Sequence, residues 1–213
     1  MQGNVNEIET LIKTQKLSKS ALYALLSSIM DYEELANRNM HRAASIIQQF
    51  KYISVEEFTE NKNTIPLYQL ISNNIAQLKD DLAEKQITVN FDVCDQLELH
   101  SFEDALGQVI KTLLKNAIQH AFEDSDSGQI TVTAEQKNQH IEISVSDQGS
   151  GIDESVVEHI FEPFISTKRF EGSMGLGLHI VYNIVNYKLK GQINLDPKVK
   201  SGSTFIITLP LTI

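Results

Sequence analysis

The sequence has little of what stabilises a secreted protein or carries a chain across a membrane. Its 213 residues include one cysteine, four prolines and no tryptophan. The single cysteine, Cys94, excludes an internal disulfide and is typical of a reducing compartment. No apolar run approaches the ~18 residues of a membrane-spanning helix, and the start MQGNVNEIETL does not resemble a signal peptide. We therefore expect a cytoplasmic chain, which leaves open whether its parent protein is membrane-anchored.

Positive charge is also scarce. Lysine and arginine total 18 against 28 aspartate and glutamate residues, which gives a net charge of −10, and no basic cluster is present. We therefore do not expect nucleic acid as the primary ligand, because phosphate backbones are bound by clustered positive charge. The hydrophobic share of 41% is that of a folded globular protein. Because Cys94 lies in an alternating apolar stretch, we expect it to be a packed strand residue rather than a nucleophile.

The first 60 residues contain no proline and no glycine after Gly3, and apolar residues recur every three or four positions from Leu22 to Ile53. This spacing predicts a long amphipathic helix, preceded by a shorter one over residues 4–14. An antiparallel hairpin of the two helices would expose a long apolar stripe, which a second copy would cover in a four-helix bundle. We predict a helical hairpin over residues 1–60 that forms a homodimer.

The pattern changes after the polar segment EEFTENKNTIP, which ends at Pro66 and which we interpret as a linker. Helical patterns then alternate with strand patterns, and GQITVTAEQ and HIEISVSD predict a hairpin. The helix SFEDALGQVIKTLLKNAIQHAF has Ser101 and Asp104 spaced as in a capping box. Residues 61–213 therefore predict an α+β domain, with helices on one face of a mixed sheet.

The segment DQGSGI follows an apolar strand. A carboxylate fixed there, Asp147, could accept a hydrogen bond from an exocyclic amine, and Gly149 and Gly151 would let a flat ring approach the backbone. Asp-x-Gly is equally typical of an ordinary turn. The motif alone leaves both interpretations open.

A second glycine segment, GSMGLGLHIVYNIV, runs directly into a helical pattern. Glycines before a helix offer backbone N–H groups to phosphates, and no Gly-Lys-Ser/Thr follows, which excludes a Walker loop. Upstream, Asn116 lies on a helix with an apolar face. Its neutral oxygen suits a metal that keeps most of its waters and bridges phosphates, although a helix-surface amide is the ordinary alternative.

Taken in order, five features resemble the N, G1, F, G2 and terminal glycine boxes of two-component sensor histidine kinases. They are Asn116 with His120, DQGSGI, IFEPF, GSMGLGL and SGSTF. The resemblance covers residues 64–213, and NRNMHRAASIIQQFKYIS resembles the second helix of that family's dimerisation domain. It implies a Bergerat-type ATP-binding α/β sandwich preceded by an antiparallel helical hairpin.

The resemblance also implies roles for individual residues. Asp147 would recognise the adenine amine, Asn116 would hold Mg²⁺, Lys168 would neutralise phosphate charge and His120 would donate to the phosphates. Phe161 and Phe164 would anchor a lid that the glycines shape. From the residues alone, these two could be ordinary core and Lys168 a solvated charge. The remaining nucleotide-binding residues that the resemblance implies are Gly149, Gly151, Ile152, Thr167, Arg169, Gly172, Gly175, Leu176, Gly177, Leu178 and Thr204.

The sequence departs from the family at three places. The box that carries the phospho-accepting histidine is absent, so we expect a truncated piece, with a naturally degenerate kinase as the alternative. Thr112 lies where related ATPases of the gyrase and chaperone types use glutamate to activate water, which argues against those activities. Ser173 replaces a frequent glycine and would stiffen the lid.

The function that the resemblance implies is that of the kinase core of a sensor histidine kinase. The core would bind MgATP, release ADP and pass the phosphoryl group to a histidine, and from there to the receiver domain of a response regulator. A non-catalytic nucleotide-binding pseudokinase or dimerisation module is the alternative that Thr112 and the missing histidine favour. A serine kinase acting on an anti-anti-sigma partner would share the fold but lack the long helix.

Overall fold

A computed structural model describes residues 22–23, 26–33, 35–36, 39–40, 61–122, 127–165, 175–196 and 202–213. The chain forms two compact units, residues 1–48 and residues 49–213. The predicted division after residue 60 stays a prediction. Across the described ranges, no helix combines the length and the apolar character needed to cross a membrane.

The described residues of the first unit are helical, as their spacing predicts. The large apolar side chains among them are exposed to solvent, and they are Leu22, Tyr23, Leu26, Ile29, Met30, Tyr32, Leu35 and Met40. The shorter helix predicted over residues 4–14 lies outside the described residues.

The second unit is built on two sheets. A five-stranded sheet has the order β2-β4-β5-β7-β6, in which only the pairing of β2 with β4 is parallel, and a small antiparallel sheet pairs β1 with β3. The predicted mixed sheet and the β4–β5 hairpin are confirmed. The strands are β1 Asn63–Pro66, β2 Ile87–Val93, β3 Glu98–Ser101, β4 Gly128–Lys137, β5 His140–Asp147, β6 Gln192–Leu195 and β7 Thr204–Pro210.

The longer helices cover the sheet because each presents an apolar face at helical spacing. In the longest, Leu106, Val109, Ile110, Leu113 and Leu114 are all buried. Two α-helices continue without a break into π-helical segments, at Ala117–Ala121 and Ile184–Lys188. The α-helices are α1 Leu67–Gln77, α2 Lys79–Glu84, α3 Glu103–Asn116, α4 Glu154–Val157 and α5 Gly177–Asn183.

Three local predictions are wrong. The linker segment contributes β1, whose Ile65 is fully buried. Ser101 does not cap α3; it ends β3 opposite Asn63, and the N-cap is Phe102, which makes no side-chain hydrogen bond. Cys94 is exposed in the turn after β2, where its carbonyl accepts from the Leu97 N–H at 3.0 Å. In each case a long-range pairing or a strand end overrode the local pattern.

Candidate nucleotide-binding site

Asp147 is the last residue of β5 and continues the buried face that Ile143 and Val145 belong to, because strand side chains alternate. Its Oδ1 accepts from the Gly149 N–H at 2.9 Å and from the Ser203 N–H at 3.2 Å, and its Oδ2 accepts from the Ser203 hydroxyl. An ionised carboxylate has about four acceptor positions. Three are used, so the buried group keeps capacity for one further donor, as recognition of an amine requires.

Ser203 was not among the predicted nucleotide-binding residues, which included Thr204 of the same box instead. In the structure the Thr204 hydroxyl pairs with the Ser146 hydroxyl at 2.7 Å, while the Ser203 N–H and hydroxyl both donate to the Asp147 carboxylate. The antiparallel register explains this: Ser146 opposes Thr204, so the next pair is Asp147 and Ser203. Knowledge of that register would have identified Ser203.

The loop after Asp147 is locked to the end of the helix that carries Asn116 and His120. The Ser150 N–H donates to the Ala121 carbonyl at 3.0 Å, and a Cβ on Gly149 would lie 2.2 Å from that oxygen. Glycine is therefore required at 149 by the chain's own packing. Gly151 and Ile152 follow in the same loop, with Ile152 packed against the core.

Asn116 and His120 lie at the C-terminal end of the α3 helix. Asn116 is its last α-helical residue and half-exposed, and His120 follows in the π-helical segment. Among the described residues, none hydrogen-bonds the Asn116 amide. Thr112, one turn earlier, donates its hydroxyl to the Gln108 carbonyl at 2.8 Å. That hydroxyl is engaged within its own helix, which agrees with the absence of a water-activating base there.

The two phenylalanines of the segment IFEPF make different kinds of contact. Phe161 is half-buried, with its ring centroid 5.5 Å from Tyr182 and 6.3 Å from Phe205. Phe164 is 61% exposed and has φ of +67°, and its N–H donates to the Gly175 carbonyl at 2.9 Å. Phe161 thus packs through its ring, whereas Phe164 is held through its backbone.

Gly175 brings the two ends of the predicted lid together. It has φ of +64°, and a Cβ there would lie 2.3 Å from the Ile165 carbonyl oxygen. Leu176 is buried, and Leu178 packs against the core. Gly177 is the first residue of α5. A Cβ there would lie 3.5 Å from the Thr112 methyl group, so this end of α5 packs against α3. Thr167, Lys168, Arg169 and Gly172 lie outside the described residues, and their roles stay predictions.

Two exposed carboxylates, Asp153 and Glu162, make local contacts in the segment around Phe161. The Ser155 hydroxyl and backbone N–H donate to Asp153, which caps α4, and they lower the pKa of that carboxyl. Glu162 lies 2.7 Å from the His159 Nδ1 and raises the pKa of that imidazole by hydrogen bonding and charge. Both groups are solvent-exposed surface features.

Neither a metal cluster nor the cavity beside the Gly149 loop identifies the candidate nucleotide site. Within the described ranges, no three His, Cys, Asp or Glu side chains are arranged to hold a metal ion. A cavity of about 640 Å³ is bordered by Gln148, Gly149 and Ser150 but not by Asp147 or Asn116. The chemistry of Asp147 identifies the site better than this cavity does.

Comparison with known proteins agrees with this geometry. Residues 101–213, more than half of the chain, match the family described as histidine kinase-, DNA gyrase B-, and HSP90-like ATPase. The autoinducer 2 sensor kinase/phosphatase LuxQ of Vibrio vulnificus strain YJ016 is 30% identical over 99% of this chain and 24% of its own length. The sensor histidine kinase ZraS of Escherichia coli K12 is 36% identical over 70% of this chain and 31% of its length. The chain thus spans about a quarter to a third of the length of these relatives.

Solved structures show the same fold. The catalytic domain of histidine kinase ThkA has a TM-score of 0.64 and 27% identity, over 71% of this chain and 97% of that one. ThkA in complex with the response regulator protein TrrA has a TM-score of 0.66 at 23% identity and shares the fold. The chain therefore belongs to the histidine kinase-, DNA gyrase B- and HSP90-like ATPase family and carries an ATP-binding catalytic domain of the histidine kinase type.

Proposed function

We propose that this chain is the MgATP-binding part of the cytoplasmic kinase core of a sensor histidine kinase. The observation that carries the proposal is the buried Asp147 carboxylate, which Gly149 and Ser203 fix with one acceptor position left. A fixed acceptor in a buried site selects a ligand that donates there, because an unmatched ligand would leave the carboxylate without its partner. The adenine amine is such a donor.

The phosphate end of the substrate would lie toward Asn116 and His120. Asn116 offers an amide oxygen that suits Mg²⁺, and His120 and Lys168 would donate to phosphate oxygens. ATP, when bound, supplies the phosphoryl group, while the metal neutralises charge on the phosphates. The chain's own residues would act by orientation and charge neutralisation rather than by covalent chemistry.

In the intact protein, an imidazole nitrogen would attack the γ-phosphorus, the bond to the bridging oxygen would break, and ADP would leave. The phosphoryl group would then pass to an aspartate of a receiver domain. ThkA was solved with a response regulator protein, and the family match extends that expectation to this chain. The exposed apolar helix of the first unit supports a homodimer, since a second copy would cover it.

The second candidate is a nucleotide-binding pseudokinase that signals through occupancy. The Thr112 hydroxyl is bonded within its own helix and does not activate water. That lack of a water-activating base is the one feature of Thr112 that favours a pseudokinase. One experiment separates the two candidates. The chain would be incubated with MgATP labelled at the γ-phosphate and a protein fragment that carries the family's histidine box, beside an Asn116→Ala variant.

Kinase activity predicts phosphohistidine, recognised as alkali-stable and acid-labile label, and loss of that label in the variant. Nucleotide binding without any label on the fragment would favour the pseudokinase. The absence of both would contradict the proposal.

A further inference from the structure

We propose that Lys85 is a positioning residue for the nucleotide site. Its ammonium Nζ donates to the carbonyl oxygen of Ile118 at 2.8 Å. Ile118 lies two residues from both Asn116 and His120, in the π-helical segment that joins them. The inference rests on the proposed function, because it concerns the residues that would hold the metal and the phosphates.

The carbonyls at the end of this helix explain why a lysine is useful there. Carbonyl groups in the last turn of a helix have no N–H partner further along it. Two of them are satisfied from elsewhere in the chain, Ile118 by Lys85 and Ala121 by the Ser150 N–H. One bond comes from the Asp147 loop and the other from a separate element, so the helix end is held from two directions.

Charge strengthens the Lys85 contact. The 14 residues of α3 and the 5 of the π-helical segment form one continuous helix with its negative dipole end at Ala121. A cation at that end is favoured, and bonds from charged donors are stronger than neutral ones. Lys85 is half-buried, which reduces screening by solvent.

The position of Lys85 is itself fixed. It lies in the turn between α2 and β2, where the Gln86 N–H donates to the Ala83 carbonyl at 3.2 Å and Gln86 has φ of +49°. Strand β2 starts at the next residue, Ile87, which pairs with Gly128 of β4. Lys85 thus ties the edge of the sheet to the helix end 33 residues away.

Calorimetry with a non-hydrolysable ATP analogue tests this role in the full chain. Lys85→Met keeps the aliphatic stem and removes the donor, and Lys85→Arg restores a donor. Lys79→Met, at an exposed position of α2, is the matched control. We expect the Mg²⁺-bound analogue to bind Lys85→Met about tenfold more weakly, with Lys85→Arg recovering most of that loss. Lys79→Met should bind like the wild type.

A double variant separates positioning from general destabilisation. If Lys85 acts through Asn116, Lys85→Met should weaken binding little further in an Asn116→Ala background. Equal losses in both backgrounds, or unchanged binding by Lys85→Met, would overturn the proposal.

Hydrogen exchange of the 117–121 amides provides a readout without ligand, and it should be faster in Lys85→Met than in Lys79→Met. Unchanged exchange would also overturn the proposal. Failure of the wild type to bind nucleotide would instead refute the proposed function, and with it any nucleotide role for Lys85.

Discussion

Replacement of Gly149 by alanine should destabilise the second unit, because the new methyl group has no space. Its Cβ would lie 2.2 Å from the Ala121 carbonyl oxygen, and ordinary contact begins at 3.4 Å, so the two backbones must separate by about 1.2 Å to reach it. The Ser150 N–H bond to the same oxygen, now 3.0 Å, would be lost at that separation.

The expected loss of unfolding free energy follows from these two effects. Overpacking in a dense region costs about 1–3 kcal/mol, and the lost hydrogen bond about 0.5–1.5 kcal/mol. A total of about 1.5–4.5 kcal/mol is a large share of the stability of an ordinary domain. With a urea m-value of about 2 kcal/mol/M, the midpoint should fall by roughly 1–2 M.

Urea unfolding followed by the native amide signal of Ile143 measures this effect in the sheet that contains Asp147. Gly107→Ala is the control, because its Cβ would meet Leu70 and Asn74 at ordinary distances of 3.5 and 3.6 Å inside α3. Alanine there should leave the midpoint unchanged or raise it. A Gly149→Ala protein that unfolds at the wild-type urea concentration would refute the proposed packing of the loop against the helix end.

Three further predictions concern single side chains. Ser203→Ala should weaken binding of an ATP analogue about tenfold, since the Asp147 carboxylate loses a donor. Ser203→Thr keeps the hydroxyl and should bind the analogue more tightly than Ser203→Ala. Equal binding by the two variants would count against this role of the hydroxyl. Glu162→Gln should lower the pKa of His159 in an NMR titration, because Glu162 raises it. The stabilisation of the folded state by this pair is present below the unfolded-state pKa of histidine, about 6.5, and is lost as pH rises through the raised pKa of His159 in the folded protein. A His159 titration that is the same in the wild type and in Glu162→Gln would contradict the contact. Cys94 should react with a thiol reagent in the native protein, since it is exposed, and protection until unfolding would show that it is buried.

Two kinds of local sequence pattern were sufficient to predict most of the fold. Alternation predicted the β4–β5 hairpin because one face of each strand is buried, and three- and four-residue spacing predicted α3 because its apolar face covers the sheet. Both signals are local, so a single sequence contains them. The five short boxes indicated the family for the same reason.

The failures at Ser101, Ser203 and Lys85 share a physical cause, which is contact between distant segments. Ser101 and Asp104 have capping-box spacing, yet Ser101 pairs with Asn63 in the small sheet. Ser203 was missed because nothing local distinguishes it from Thr204 until the register with β5 is known. Lys85 gave no signal, since a lysine before a strand is ordinary and its acceptor lies 33 residues away.

The most direct test of the central claim is titration calorimetry of the chain with a non-hydrolysable ATP analogue, with and without Mg²⁺, for the wild type and Asp147→Asn. The asparagine keeps the shape but places an NH₂ group where the carboxylate accepts. An exposed control, Asp153→Asn, should leave affinity unchanged. The account predicts Mg²⁺-dependent binding by the wild type that falls at least tenfold in Asp147→Asn. Wild-type binding that Asp147→Asn retains in full, or no binding by the wild type, would contradict it.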